Sequence, residues 1–353
     1  MNLMWERRRT QATILTVLVA GVTLWWTYRH RQASKGVEVK AKVSDGGTDN
    51  STGDVPENAP HGCPGVESAE AGHGDACQGC PNRAICASGQ ANEPNPDVKV
   101  IAEKLADIKN IILVLSGKGG VGKSTVSSQV AWELESRGLA VGILDIDICG
   151  PSIPRMTGTI GEEVRPYSGG WIPVVKSENL LVISVGYLLP EDDGAVIWRG
   201  PKKNGLIKQF LSDVYWGSLD YLIVDTPPGT SDEHLSIVTY LKDAGITGSI
   251  IVTTPQEISL QDVRKEINFC KQTQVPILGV VNNMANSFFS EIDPEGTSRM
   301  CEKMQVPYAG SIDLDKQLLR ATEEGRKVES DSNASRQIKE VIDSCLSHIR
   351  PRS

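Results

Sequence analysis

Ser116-Gly117-Lys118-Gly119-Gly120-Val121-Gly122-Lys123-Ser124-Thr125 spells G-x-x-x-x-G-K-S from Gly117 to Ser124, the spacing of a loop that cradles phosphates. The flanks agree with that reading. Ile111 to Leu115 ahead of it is a short apolar run that suits a buried parallel strand. Thr125 to Arg137 behind it places Val126, Val130, Ala131 and Leu134 at roughly helical spacing. A strand, a glycine turn and a helix in that order aim backbone N–H groups and a positive helix end at one spot, where anions bind. Gly117, Gly119, Gly120 and Gly122 let that backbone curl close to an anion. Val121 and Thr125 complete the nucleotide-binding stretch. Lys123 reaches the terminal phosphates and Ser124 takes one Mg²⁺ position.

Working outward, more apolar runs end in chemistry-bearing residues. Ala140 to Asp145 reads as a strand that runs into Asp145-Ile146-Asp147-Ile148-Cys149-Gly150-Pro151-Ser152-Ile153-Pro154. Carboxylates at strand ends beside a phosphate loop position Mg²⁺ or an attacking water. For Asp145 a strand-end cap is the other reading. Tyr221 to Asp225 is a second strand ending in acid, followed by Thr226-Pro227-Pro228-Gly229-Thr230-Ser231-Asp232. Asp225 is placed to hold Mg²⁺ through water, and Gly229 to serve as a hinge. Strands are also expected over Leu180–Val185, Ser249–Pro255, Ile277–Met284 and Val306–Ile312. Helices are expected over Lys202–Ser212, Ser259–Thr273, Leu314–Glu323 and Ala334–His348. Strands alternating with helices, with the motifs at strand carboxyl ends, predict an α/β fold whose mostly parallel sheet is flanked by helices.

The eight cysteines are unevenly spread. Cys63, Cys77, Cys80 and Cys86 fall at C-x13-C-x2-C-x5-C in a segment with little apolar content. Four thiolates there imply that metal organises the segment. Structural zinc and a four-cysteine iron–sulfur cluster both fit the count, and the single C-x2-C pair favours the cluster.

Of the 353 residues, 39% are hydrophobic, 23% charged and 5% aromatic, and the net charge of −8 gives a nucleic-acid partner no support. Residues 10–28 are uncharged, end in Trp25, Trp26 and Tyr28, and are flanked by arginines. Their length suits a single membrane crossing with an interfacial aromatic belt. A cleaved signal and a mitochondrial presequence fit less well. Four segments follow: a membrane anchor at 1–35, a Gly/Ser/Asp-rich flexible linker at 36–60, the four-cysteine segment at 61–95 and a nucleotide-hydrolysing domain at 96–353.

The cysteine spacing directly ahead of Leu115-Ser116-Gly117-Lys118-Gly119-Gly120-Val121-Gly122-Lys123-Ser124 resembles the Mrp-type P-loop NTPases. Within them it is similar to the branch of cytosolic iron–sulfur assembly scaffolds of nucleotide-binding protein 35 type, from about Cys63 to the end of the chain. By that resemblance Cys63, Cys77, Cys80 and Cys86 hold a [4Fe–4S] cluster. The second lysine, Lys118, marks a deviant loop and reaches across a dimer to the partner's nucleotide. The run Leu144 to Pro154 is similar to the family's switch I, which assigns Asp147 to water activation and Mg²⁺ linkage. Asn283 stands where the family reads adenine, its amide suiting a base edge. Val196-Ile197-Trp198-Arg199-Gly200-Pro201 matches a further signature of undefined role. The resemblance implies an ATPase that uses ATP, Mg²⁺ and a [4Fe–4S] cluster. It would act as a homodimer, or as a heterotetramer with a related NTPase, and serve iron–sulfur targeting factors and apoproteins. With the anchor, it would face the cytosol from the outer mitochondrial membrane in preference to the endoplasmic reticulum. One feature departs: the family's later C-P-x-C pair is absent, and Ala285-Asn286-Ser287-Phe288-Phe289-Ser290-Glu291-Ile292 stands there instead. Two other functions fit parts of the chain: a membrane-positioned partition-type ATPase, and a zinc-stabilised nucleotide-binding interaction module.

Overall fold

The structure is a computed structural model that describes residues 62–65, 68–88, 95–148, 150–188, 200–287 and 293–349. The expected anchor at 10–28 and linker at 36–60 lie outside the described residues, as do Cys149, Trp198 and Arg199. Among the described residues no helix is long and apolar enough to cross a membrane. The chain divides into two compact units, one ending at Asn92 and one beginning at Glu93.

The first unit is turn-rich. A 3-10 turn spans Asp75–Cys77, and α1 (Arg83–Ala87) closes the segment. Its backbone hydrogen bonds are local, such as Cys80 N–H to the Cys77 carbonyl at 3.2 Å and Cys86 N–H to the Asn82 carbonyl at 3.0 Å. Arg83 adds a side-chain bond from Nε to the Gly72 carbonyl at 3.2 Å.

The second unit begins with α2 (Pro96–Lys104), whose N-cap Asn95 accepts from the Asp97 N–H. In chain order there follow β1 (Ile108–Leu115), α3 (Lys123–Ser136), β2 (Val141–Asp145), α4 (Ile153–Met156), β3 (Arg165–Tyr167), β4 (Gly170–Ile172), β5 (Val174–Ser177) and β6 (Leu180–Ser184). The rest is α5 (Gly200–Ser212), β7 (Leu219–Asp225), α6 (Asp232–Leu241), β8 (Gly248–Thr253), α7 (Glu257–Gln272), β9 (Ile277–Ala285), α8 (Gly296–Met304), β10 (Tyr308–Asp313), α9 (Lys316–Glu323) and α10 (Asn333–Ser347).

Eight strands form one sheet in the order β10-β9-β8-β1-β7-β2-β6-β5. Every pairing in it is parallel except β5 with β6. The strands are apolar because both faces are covered. Ile111, Leu113, Leu115, Leu222 and Val224 pack with Phe210, Ile237, Val263, Ile267 and Met300 on one face. Ile112, Val114, Ile143 and Ile223 pack with Val126, Val130, Leu134, Ile338 and Val341 on the other. The side-chain period of two thus splits each strand between two cores. The helix after β1 covers one face and the helix after β7 the other, which leaves the crevice at the strands' carboxyl ends where α/β proteins bind ligands.

The expected strands and helices are all present, within a few residues of their expected ends. The sequence offers no comparable cue for β3, β4 and β5. Two of them are only three residues long, and Tyr167 and Val175 are exposed, so they lack the buried apolar period that marks the rest.

Candidate functional site

Gly122 caps α3 in the left-handed region at φ 84°, and a Cβ there would stand 2.1 Å from Asn283 Nδ2. Only glycine meets both demands. Gly117 carries a different constraint, since a Cβ there would lie 2.7 Å from the backbone of Asp262 on α7. The loop is therefore seated directly on α7 and on the end of β9. It borders a cavity of about 210 Å³ lined by Gly119, Gly120, Lys123, Ser124, Thr125 and Asp147, among others. A larger polar cleft of about 360 Å³, between α2 and the β3–β4 hairpin, lies away from the strand ends and holds none of this chemistry.

Asp225 is the hub of the site. It is wholly buried at the end of β7. Its Oδ2 accepts from Lys123 Nζ at 2.7 Å and from Ser124 Oγ at 2.6 Å, and its Oδ1 from Ser127 Oγ at 2.5 Å. Lys123 Nζ lies 3.9 Å from Asp147 Oδ2. Lys123, Ser124, Asp147 and Asp225, spread over 102 residues, thus meet at one place. Sequence reasoning missed Ser127, which is outside the loop motif. Its one signal is its position one turn beyond Lys123 on the same helix face.

Asp145 takes the capping role. Oδ1 accepts the Asp147 N–H at 3.1 Å, and Oδ2 accepts the Ile153 N–H at 3.3 Å and Ser184 Oγ at 2.9 Å. It is fully buried. Burial, with the Asp225 charge second, pushes its carboxyl well above the usual carboxylate range. Asp145 shapes the turn that presents Asp147 and takes no place on the cavity wall.

Lys118 Nζ pairs with Asp262 Oδ2 of its own chain at 3.0 Å, and Lys265 shares that carboxylate from the next turn at 2.9 Å. Asn283 Nδ2 donates to the Val121 carbonyl at 2.9 Å, so this amide braces the phosphate loop. Where the C-P-x-C pair is missing, the backbone is unusual: Met284 and Asn286 both have positive φ, at 56° and 51°. Cys301, the nearest thiol in sequence, is 1% exposed, and burial pushes its pKa up to about 11. It is a packed core side chain.

In the first unit Cys63, Cys77, Cys80 and Cys86 line one small cavity. No disulfide joins them. Partial burial, and then the neighbouring Cys80, Cys63 and Cys77, raise the Cys86 pKa, so four thiols share one neighbourhood. Among the described residues no three His, Cys, Asp or Glu side chains are grouped to hold a metal ion.

Fold, loop and Asp225 hub together define a P-loop ATPase with a deviant phosphate loop. Residues 107–349 match the ParA-group profile of the NUBPL iron-transfer P-loop NTPases, and the chain belongs to that family. It is similar to a solved nucleotide-binding protein of Archaeoglobus fulgidus in complex with ADP, in which cobalt was found. The two are 36% identical over 67% of this chain and 94% of that one, with a TM-score of 0.56. The fold is also that of the cell-division ATPase MinD of Pyrococcus furiosus, at 21% identity over 68% of this chain and 99% of that one, TM-score 0.52. MinD of Aquifex aeolicus shares it at 18% identity over 69% and 99%, TM-score 0.51.

Proposed function

We propose that this ATPase is a scaffold that assembles [4Fe–4S] clusters and passes them to apoproteins in the cytosol and nucleus. One observation carries the reading: Cys63, Cys77, Cys80 and Cys86 wall one cavity in a chain whose other unit is a P-loop ATPase of an iron-transfer family. Bound there, a cluster would supply iron and sulfide held by thiolates.

In the second unit the donors are hard oxygens around a lysine, which fits Mg²⁺ and a nucleoside triphosphate. Lys123 would neutralise phosphate charge, Ser124 and Asp225 would hold the ion, and Asp147 would orient water. Asn283 would serve the base side. Hydrolysis would move the Thr226–Ser231 segment, in a dimer in which Lys118 leaves Asp262 for the partner's nucleotide. The run at 10–28 would tether the assembly to a membrane.

The test is oxygen-free purification with iron and acid-labile sulfide assays and Mössbauer spectroscopy. Wild type and Lys123→Ala are expected to carry equal iron, with phosphate release lost only in Lys123→Ala. Cys77→Ala is expected to lose the iron. Iron-free wild type after chemical loading, or stoichiometric zinc in its place, overturns the reading.

A further inference from the structure

The phosphate loop is fastened at both ends. At its start the Gly229 N–H donates to the Ser116 carbonyl at 2.7 Å, and Gly117 is seated on the Asp262 backbone. At its far end stands one side chain, Asn283, with its 2.9 Å bond to the Val121 carbonyl. Asn283 belongs to the end of β9, which β8 separates from β1 in the sheet. The side-chain period of a strand explains how it reaches the loop. Val281, two positions earlier, packs with Val126 and Val130 of α3 on one face, whereas Val280 packs on the other. Asn283 shares the face of Val281 and so meets the turn that opens α3. Asn282 shares the face of Val280.

Chemistry fixes which way this amide faces. A carbonyl only accepts, so the NH₂ group of Asn283 is turned to Val121 and Oδ1 is turned elsewhere. Asn283 and Val121 are both buried, which shields the bond from competing water. Gly122, the N-cap of α3, contributes no side-chain cap of its own. The plane of the Val121–Gly122 peptide is thus set from outside the loop. In a trans peptide the C=O and the following N–H point in opposite directions. Pinning the Val121 carbonyl on Asn283 therefore turns the Gly122 N–H to the other side, and Gly122 borders the cavity beside the loop.

We propose that Asn283 is a positioning residue for phosphate binding: it presets the Val121–Gly122 peptide so that the Gly122 N–H meets an arriving phosphate. This role is separate from any contact of Oδ1 with the base. The loop is formed before the nucleotide arrives, so the brace favours ground state and transition state alike. Its loss raises KM and leaves kcat in place. The inference rests on the nucleotide site alone, and no cluster need be loaded. ATP hydrolysis by the wild type checks that site, while a base-free ligand checks the brace, so the two readings fail separately.

The probe is magnesium tripolyphosphate, which has the phosphates and no base. Its affinity for the whole chain is measured by displacement of a fluorescent ATP analogue, beside ATP hydrolysis kinetics and thermal unfolding. Asn283→Leu keeps the size and lacks the donor. Asn283→Ala lacks the donor without a branched side chain, should leucine disturb the fold. Asn282→Leu makes the same change on the opposite face of β9. Both Asn283 variants are expected to bind tripolyphosphate about fivefold more weakly, the size of one neutral hydrogen bond. Their KM for ATP should rise by at least that factor, with kcat close to wild type, and Asn282→Leu should bind tripolyphosphate as the wild type does. Unchanged tripolyphosphate binding with weakened ATP binding overturns the proposal, since the amide then serves the base alone. So does an equal loss in Asn282→Leu, or a kcat that falls with the melting temperature, because that is the pattern of a loosened strand end. Wild type that binds no tripolyphosphate at millimolar concentration also overturns it, because a preset loop holds phosphates without a base.

Discussion

Ser127→Ala removes one hydroxyl that touches no phosphate in the motif's own logic, yet the structure makes it costly. Ser127 Oγ is buried and gives Asp225 Oδ1 its hydrogen bond at 2.5 Å. Asp225 is wholly buried, and its hydrogen bonds from Lys123 and Ser124 both fall on Oδ2. The substitution thus leaves one carboxylate oxygen inside the protein without that donor. A hydrogen bond to a charged group contributes about 1.5–3 kcal/mol. Alanine suits the middle of α3 and returns a few tenths of a kcal/mol through helix propensity, so the net loss is about 2 kcal/mol. For a domain of this size that lowers the melting temperature by roughly 4–8 °C. The assay is thermal unfolding followed by circular dichroism, with urea unfolding to check that the midpoint falls at constant slope. Repeating the substitution in an Asp225→Asn background should shrink the loss to about 1 kcal/mol, since the acceptor is then neutral. A melting temperature within a degree of wild type, or equal losses in the two backgrounds, refutes the account of Asp225 as a charge held by three donors.

Two more predictions concern α7. Asp262→Asn releases Lys118 from its pair within the chain. The pair is partly exposed, at 35% and 23% of the side chains, so it contributes about 0.2–1 kcal/mol. Dimerisation in MgATP should strengthen by at most about fivefold in sedimentation velocity, and an unchanged or weakened dimer means that the pair does not restrain Lys118. Glu266 is fully buried with neither carboxylate oxygen hydrogen-bonded, and burial, with Asp262 second, raises its pKa to about 7 from 4.5. The unfolded chain releases this proton first, so stability is full below about pH 4.5 and is lost as pH rises towards and through 7. Glu266→Gln should therefore melt several degrees above wild type at pH 8 and close to it at pH 4.5; a pH-independent difference contradicts the assignment.

Much of the fold was legible because its strands are buried on both faces. That burial demands continuous apolar runs, which are visible in the chain as Ile111–Leu115 or Ser249–Pro255. The phosphate loop was legible for a related reason: backbone that must pass within a Cβ's distance of Asn283 and Asp262 can be built only from glycine, at Gly122 and Gly117. The four cysteines announced a shared site by their isolation in a segment without a core, and the structure sets all four on one cavity.

Other features had no local signature. Ser127 and His234 are ordinary helix residues until packing places one against Asp225 and the other against Ser231 in the segment after β7. The cap that Asp145 provides depends on Ser184, a strand away. Lys118 could be recognised as unusual from the chain alone, but its partner Asp262 lies 144 positions further on. The sequence by itself determined the α/β class, the phosphate loop and the thiol count, since backbone sterics and burial constrain which residue types can stand there. Only the tertiary structure decided who bonds to whom among the polar side chains: hydrogen bonds and ion pairs act over about 3–4 Å, and the folding of the sheet alone brings residues a hundred positions apart within that reach.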